Sequence, residues 1–224
     1  MEKTYHSYAF FDVDETLIKI KSMMSFLQFF SEHPQGQAWV SAQTREAFLA
    51  AVKQSHDRNA LNRAYYRLFR AVPASFFYRL AHEWGEIHTE RLDTLLLANS
   101  VAALRAHQQA GRGIVLVSGS FSALLAPIQR ALQVDACLTT QILVEDGELT
   151  GEIGAPQTIG TGKAEAIATF LAAQGICPSL CYAYGDDISD APMLLAVGNA
   201  TAIAGNPQLA ELATRHGWAM LTAA

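Results

Sequence analysis

The chain has 224 residues, of which 50% are hydrophobic and 17% charged, and a formal net charge of -5 at pH 7, so it can bury one good core and a small second domain. The negative net charge and the lack of a run of basic residues argue against nucleic acid or an anionic membrane surface as a partner. They favour a small molecule. No stretch reaches the roughly 18 apolar residues of a membrane span, and residues 1–7 lack a signal-peptide pattern, so we expect a cytoplasmic protein without a membrane partner.

The first predicted strand, residues 8–11, ends in two carboxylates one residue apart. Its four residues are aromatic or small without polar alternation, which is typical of a strand buried on both faces of a parallel sheet. Asp12 and Asp14 follow, and the two-residue period of an extended chain points both side chains to the same side. One carboxylate could bind a cation or attack a substrate while the other transfers a proton. The alternative is an Asx turn with a capping box at residues 14–16.

Residues 18–99 carry long helical patterns and hardly any strand signal, which predicts a helical insertion. The spacing of apolar residues predicts a helix that ends before Pro34, followed by helices over residues 39–53, 61–71 and 75–97. The aromatic stripe in the last helix is interpreted as core packing rather than as a ligand site. We therefore expect a helical-bundle cap over residues 19–98 and a core domain over residues 1–18 and 99–224.

From residue 100 the pattern alternates between helix and strand. A helix over residues 101–109 precedes a strand over 114–117, and a helix over 121–132 is weakened or kinked by Pro127. A strand at 136–138 and a peripheral hairpin over 141–153 follow. The remaining predicted elements are a helix to residue 174, a strand at 180–184, a helix at 191–196, a strand at 200–203, a helix at 207–216 and a strand at 218–221. The alternation predicts an α/β fold, a doubly wound Rossmann-like parallel sheet with the helical bundle inserted.

Polar residues follow three of these strands and begin one helix. Carboxyl ends of parallel strands share one edge of the sheet, so we expect these residues to meet there. Carboxylate ligands without cysteine or histidine suit magnesium rather than zinc. A serine hydroxyl, loop amides and a lysine charge can bind phosphoryl oxygens, so the set predicts a phosphate and metal site. Its members are Asp12, Asp14, Ser118, Gly119, Lys163, Gly185, Asp186 and Asp190.

The four polar segments resemble, in order and context, the four motifs of the haloacid dehalogenase superfamily of phosphohydrolases. They read Asp12-Val13-Asp14-Glu15-Thr16, Val117-Ser118-Gly119, Lys163, and Gly185-Asp186-Asp187 with Asp190. The resemblance spans the whole chain and is closest to the phosphoserine-phosphatase-like branch (subfamily IB), which has a first-type helical cap. It implies a magnesium-dependent phosphomonoesterase acting on a small-molecule phosphoester.

The resemblance also implies roles for individual residues. Asp12 would be the nucleophile that forms an aspartyl phosphate, and Asp14 would protonate the leaving group and then activate water. Magnesium would be held by Asp12, the backbone carbonyl of Asp14 and Asp186, with Asp190 supporting the metal or Lys163. Phosphate would be bound by Ser118, Gly119 and Lys163, with Thr16 orienting the first loop.

Lys21 departs from the pattern of this branch, because phosphoserine phosphatases carry an acidic residue there to meet the substrate amino group. We therefore expect Lys21 and Lys19 to favour an anionic or neutral substrate, although two solvated lysines at the start of the cap are an equally good interpretation. Ser189 stands where the branch often has asparagine.

Two alternative functions stay open. One is a phosphotransferase or mutase of the same fold, and the other is a non-catalytic phospholigand-binding module, against which the intact carboxylates argue. The oligomeric state is also open.

The three cysteines and several histidines are interpreted as structural. Cys137, Cys177 and Cys181 are an odd number in apolar surroundings, which indicates free core thiols rather than disulfides or a metal site. His82, His88 and His107 are expected to be exposed or hydrogen-bonded rather than metal ligands.

Overall fold

The computed structural model describes residues 4–55 and 57–223. Six parallel strands form one sheet in the order β3-β2-β1-β6-β7-β8, and β4 and β5 form a separate antiparallel hairpin. The strands are β1 (Tyr8–Phe11), β2 (Gly113–Ser118), β3 (Ala136–Thr139), β4 (Ile142–Glu145), β5 (Glu148–Ile153), β6 (Tyr182–Gly185), β7 (Asn199–Ile203) and β8 (Ala219–Leu221).

Ten α-helices lie in the described part of the chain, six of them between β1 and β2. They are α1 (Ser22–Glu32), α2 (Ala42–Gln54), α3 (Arg58–Arg67), α4 (Ala74–Thr89), α5 (Leu92–Leu95), α6 (Ala98–Gln109), α7 (Ser122–Leu132), α8 (Thr161–Gln174), α9 (Ala191–Leu195) and α10 (Pro207–His216). No helix among residues 4–55 and 57–223 is both long and apolar enough to cross a membrane.

The sheet is covered by helices on both faces, as the near-continuous apolar strands predict. In β1, Ala9 and Phe11 pack in one cluster with residues of α6 and α7, whereas Tyr8 and Phe10 pack in another with residues of α8, α9 and α10. Alternate side chains of an extended strand point to opposite faces, so β1 contributes to both layers of the core. The predicted doubly wound α/β sheet with an inserted helical bundle is therefore confirmed.

An aromatic core holds the inserted helices together. Phe77, Leu80 and Trp84 of α4 are fully buried, which confirms their interpretation as core packing, and Phe26 of α1 packs edge-on against Phe77 with ring centroids 5.3 Å apart. Such aromatic pairs add to the free energy of burial. The insertion is therefore a cap whose helices pack around an aromatic hydrophobic core.

Two helices begin at residues other than those predicted, because polar N-caps decide where they start. The α2 helix starts at Ala42 rather than at residue 39, because the Ser41 hydroxyl accepts a hydrogen bond from the Thr44 amide. The α3 helix starts at Arg58 rather than at residue 61, because the Asp57 carboxylate accepts from the Ala60 amide.

The predicted helix over residues 75–97 is divided into α4 and α5. The segment after α5 turns back toward the sheet, where the Lys19 amide donates to the Leu95 carbonyl at 2.9 Å and Ile18 forms a β-bridge with Leu96. These pairings hold the chain in an extended conformation that a continuous helix could not adopt.

The hairpin of β4 and β5 is not peripheral, contrary to the prediction. Leu149 lies buried in the aromatic core of the cap, and its amide and carbonyl pair with Val72 and Ala71 at 2.9 and 2.8 Å. Backbone groups of the short link between α3 and α4 thus find their hydrogen-bond partners in the hairpin. The domain boundaries at residues 18 and 99 stay a proposal, with the hairpin added to the cap.

Helix α7 joins the cap to the core domain. It runs without a break through Pro127, whose ring fills the space beside Gly85 of α4, where a Cβ would lie 2.3 Å from Pro127 Cγ. Phe121 and Leu124 are buried in the same cluster as the cap aromatics. The cap and α7 therefore share one hydrophobic core.

The cysteines are free, but only Cys181 is buried, whereas Cys137 is half-buried and Cys177 is exposed. The expectation of a core thiol is wrong for Cys177, which begins a tight turn at Pro178 and contacts the Ser179 hydroxyl at 3.1 Å.

The histidines have the surroundings that were expected of them. His107 is buried and contacts the Tyr184 hydroxyl at 2.8 Å, His88 contacts the Trp84 carbonyl at 2.7 Å, and the His82 side chain is exposed.

Candidate active site

A pocket of about 170 Å³ lies between the carboxyl edge of the sheet and the cap. It brings together eight of the predicted site residues. Thr16 and Gly185 do not line it: Thr16 is buried beneath the pocket and donates its hydroxyl to Asp186 Oδ1 at 2.9 Å, and Gly185 ends β6 just before Asp186. The predicted residues that line the pocket are Asp12, Asp14, Lys21, Ser118, Gly119, Lys163, Asp186 and Asp190.

Lys163 lies between two carboxylates at the floor of the pocket. Its amine is 2.5 Å from Asp12 Oδ1 and 2.7 Å from Asp190 Oδ1, and all three side chains are buried. Asp12 is placed by the end of β1, and Lys163 by the first turn of α8. That helix begins close to the preceding loop because Gly162 has no Cβ, which would lie 1.9 Å from the Gln157 carbonyl oxygen.

Both carboxylate oxygens of Asp190 accept hydrogen bonds. Its Oδ1 accepts from Lys163, and its Oδ2 accepts from the amides of Asp186 and Asp187, both at 3.2 Å. A Cβ on Gly185 would lie 2.6 Å from the Asp190 Cβ, so a glycine is required at the end of β6. Asp190 therefore holds Lys163 and the loop after β6 in place.

Asp12, Asp186 and Asp190 form an acidic cluster in which one oxygen from each residue lies within 4.8 Å of the others. Burial, together with the charges of Asp12 and Asp190, raises the pKa of Asp186 to about 8. Burial also raises the pKa of Asp12, although Lys163 opposes the rise. The crowded carboxylate oxygens fit a hard divalent cation, which would offset their repulsion.

Asp14 carries a carboxyl group that is easily protonated. Burial, followed by the charge of Asp12, raises its pKa to about 7, and the nearby Ser22 offsets only part of this rise. Its Oδ1 has no hydrogen-bond partner among the described residues. The alternative of a capping box does not hold, because no helix begins here: Glu15 has a φ of 61°, and α1 begins only at Ser22.

The loop after β2 offers donors to an anion. Ser118 ends the strand, and its Oγ accepts a hydrogen bond from the Ser120 amide at 3.1 Å. Gly119 cannot be replaced without displacing its neighbour, since a Cβ would lie 2.6 Å from Cγ1 of Ile159. Packing against Ile159 therefore requires a glycine here, and close approach of a ligand to its backbone stays a prediction.

Residues 9–195 match the family model described as haloacid dehalogenase-like hydrolase. The chain belongs to this family. A relative from Mycobacterium tuberculosis named a probable phosphatase is 32% identical over 96% of this chain and 74% of its own length. A phosphoserine phosphatase of the same species is 28% identical over 94% of this chain and 68% of its own length.

The fold agrees with this assignment. The solved structure of a phospho-aspartyl intermediate analogue of phosphoserine phosphatase has a TM-score of 0.66 at 19% identity, over 94% of this chain and 91% of that chain. The family match and the named relatives confirm the predicted superfamily, its phosphoserine-phosphatase-like branch and the phosphatase class of enzyme.

Lys21 of this haloacid dehalogenase-like hydrolase lies at the rim of the pocket, just before α1. Its amine is 3.2 Å from Glu15 Oε2, and both side chains are about half exposed. Lys19 is exposed and is not among the pocket-lining residues, so only one of the two predicted lysines lines the pocket. The effect of Lys21 on specificity stays a prediction.

Three residues of α3, spaced four apart, contact three different loops of the core domain, and the sequence did not predict these contacts. The prediction began this helix at residue 61, and periodicity alone cannot identify which loops a helix face contacts. The contacts are Arg58 Nη2 to Asp187 Oδ1 at 3.1 Å, Asn62 Nδ2 to Gln157 Oε1 at 3.3 Å, and Tyr66 Oη to the Gly119 carbonyl at 2.9 Å.

Proposed function

We propose that this protein is a magnesium-dependent phosphomonoesterase that hydrolyses a small-molecule phosphoester through an aspartyl phosphate on Asp12. The observation that carries the proposal is the contrast between two neighbouring carboxyl groups. Asp12 contacts the Lys163 amine at 2.5 Å, and that charge opposes the rise that burial causes in the pKa of Asp12; Asp14 has no such contact, and its pKa is raised to about 7. One group is thus suited to attack and the other to transfer protons near neutral pH.

In the first step, an Asp12 carboxylate oxygen forms a bond to phosphorus while the bond from phosphorus to the leaving oxygen breaks. The protonated Asp14 donates its proton to that oxygen, and an alcohol leaves. Lys163 keeps Asp12 ionised because its positive charge stabilises the carboxylate in a buried site. The Ser118 hydroxyl and the loop amides donate to the phosphoryl oxygens.

In the second step, Asp14, now a carboxylate, takes a proton from water as the water oxygen bonds to phosphorus. The bond between phosphorus and Asp12 breaks, which releases inorganic phosphate and restores both carboxyl groups. Asp14 therefore acts first as an acid and then as a base.

Magnesium would be held by Asp12, Asp186 and the backbone carbonyl of Asp14, while Asp190 is engaged with Lys163 and two amides. A bound magnesium supplies charge that offsets the phosphoryl oxygens. Thr16 keeps Asp186 oriented by donating to its Oδ1. The relatives named phosphatase support a phosphomonoester as the substrate class.

The test is hydrolysis of p-nitrophenyl phosphate after removal of metal with EDTA and after addition of Mg²⁺. We expect turnover only with Mg²⁺, and Asp12→Asn should abolish it with the fold intact by circular dichroism. After acid quenching, mass spectrometry should find phosphate on Asp12 of the wild type. Glu145→Gln, at an exposed position of the hairpin, is the control and should retain full activity. Full activity in EDTA, or phosphate trapped on another residue, would contradict the proposal.

A further inference from the structure

The cap residue Tyr66 contacts the phosphate-binding loop directly. Its side chain is 1% exposed, and its hydroxyl donates a hydrogen bond to the Gly119 carbonyl at 2.9 Å. The partner is a backbone group of the core domain, 53 positions away in sequence. A cap helix is thus attached to the loop that follows β2.

The Gly119 carbonyl belongs to the same planar peptide unit as the Ser120 amide. Because this unit rotates as a rigid plane, fixing the carbonyl oxygen also fixes the direction of the N–H. That N–H donates to Ser118 Oγ at 3.1 Å, and the Ser120 carbonyl accepts from the Thr140 amide at 2.9 Å. The loop is therefore held at three successive points.

The hydrogen bond from the Ser120 amide consequently orients the Ser118 hydroxyl. With its oxygen accepting from Ser120, its own proton makes no hydrogen bond to any residue in the described part of the chain, and Ser118 lines the pocket. A hydroxyl that accepts from an amide is free to donate to an anion. The free proton is thus available to a phosphoryl oxygen.

We propose that Tyr66 is a positioning residue for phosphate binding: its hydroxyl holds the Gly119 peptide so that the Ser120 amide orients the Ser118 hydroxyl toward the phosphoryl group. The inference rests on the proposed function, and it extends that function by making a cap residue part of phosphate recognition. Correct cap packing and a competent phosphate loop are then coupled through one hydrogen bond.

Tyr66→Phe is a sharp test because it removes only the hydroxyl. The ring, which packs against Tyr65 and Phe121, is retained. We expect kcat/KM for p-nitrophenyl phosphate to fall about three- to tenfold, as for the loss of one hydrogen bond, and the inhibition constant of inorganic phosphate to rise by a similar factor.

The decisive measurement is a double-mutant cycle with Ser118→Ala. If Tyr66 acts through Ser118, Tyr66→Phe should have no further effect on kcat/KM or on phosphate inhibition in the Ser118→Ala background. A merely structural role predicts that the two effects multiply, and that result would overturn the proposal. Tyr78→Phe is the control, since this half-buried cap tyrosine makes no hydrogen bond within the described residues and lies outside the pocket.

Failure of this inference can be told apart from failure of the proposed function. If the wild type hydrolyses p-nitrophenyl phosphate and Tyr66→Phe has the same kcat/KM and the same phosphate inhibition, only the role of Tyr66 is overturned. A wild type without turnover contradicts the proposed function, and calorimetric titration with inorganic phosphate then tests Tyr66 alone. Weaker phosphate binding by Tyr66→Phe supports its role, and equal binding or none to either protein overturns it.

Discussion

The amine of Lys163 lies 2.5 Å from Oδ1 of Asp12, at the floor of a pocket where both side chains are buried. The same amine reaches Asp190, so one cation stabilises two buried carboxylates. Removing one partner of a buried ion pair leaves charge without compensation, which costs far more than the intact pair contributes. Lys163 is therefore important for stability as well as for the proposed chemistry.

We predict that Lys163→Met is destabilised by about 3–5 kcal/mol at pH 8 and much less at pH 4.5. Without the cation, the folded-state pKa of the buried carboxyl groups lies above that of the unfolded chain. The folded variant can take up protons at low pH, so its stability is lost as the pH rises. Urea denaturation in EDTA at both pH values measures this, with the exposed Lys53→Met as control. An equal loss at both pH values would show that the packing of the side chain, not its charge, is responsible.

Asp14→Asn should separate the two chemical steps. Nitrophenolate leaves without needing a proton, so the variant should still form the aspartyl phosphate from p-nitrophenyl phosphate. Hydrolysis of that intermediate needs a base, and turnover should fall about 10²- to 10⁴-fold. Stopped-flow mixing should then show one burst of nitrophenolate per active site. Asp146→Asn, in the exposed hairpin turn, should turn over normally, and absence of a burst would argue against the separate roles.

Lys21→Glu should change the order of substrate preference. In the wild type the Lys21 amine repels a substrate ammonium group, although Glu15 at 3.2 Å partly offsets its charge. The variant places two carboxylates at the pocket rim and should raise kcat/KM for phosphoserine about tenfold relative to anionic phosphoesters, with little change for p-nitrophenyl phosphate. Lys19→Glu is the matched control, because it makes the same charge change outside the pocket. An unchanged order of substrates would show that Lys21 is only a solvated lysine.

His107 should make folding stability depend on pH. Burial, and then the charge of Arg112, lowers its pKa to about 4, while the rings of Phe11 and Tyr182 and the Tyr184 hydroxyl surround it. Since the unfolded chain takes up the proton near pH 6.5, the stability that neutral His107 provides is present above that pH and lost as the pH falls toward 4.

The corresponding experiment compares His107→Gln with the wild type by urea denaturation at pH 7 and pH 4.5. The wild type should lose on the order of 1–3 kcal/mol more than the variant over this interval. His82→Gln, which changes an exposed histidine, should retain the wild-type dependence. Parallel curves for His107→Gln and wild type would exclude His107 as the source.

The loops that meet at the pocket could be predicted because each follows a short local pattern. The local sequence alone locates an apolar strand that ends in Asp12 or in Ser118. A parallel sheet brings the carboxyl ends of such strands together at one edge. The contacts from α3 could not be predicted in this way. Whether Arg58 contacts Asp187 depends on how the cap packs on the core domain, and that packing is set by side chains distant in sequence. The same reason explains why the hairpin with Leu149 was assigned to the periphery.

The hydrophobic core that the cap shares with α7 limits how a substrate can enter. Swinging the whole cap away would expose Phe121 and Leu124, at a cost of about 1.5–3 kcal/mol for each side chain. Helix α2 buries only Phe48 among its described residues, and Phe48 and Val52 both form part of the pocket wall. Detachment of α2 alone would therefore expose less apolar surface than movement of the whole cap, so we expect a substrate to enter beside α2.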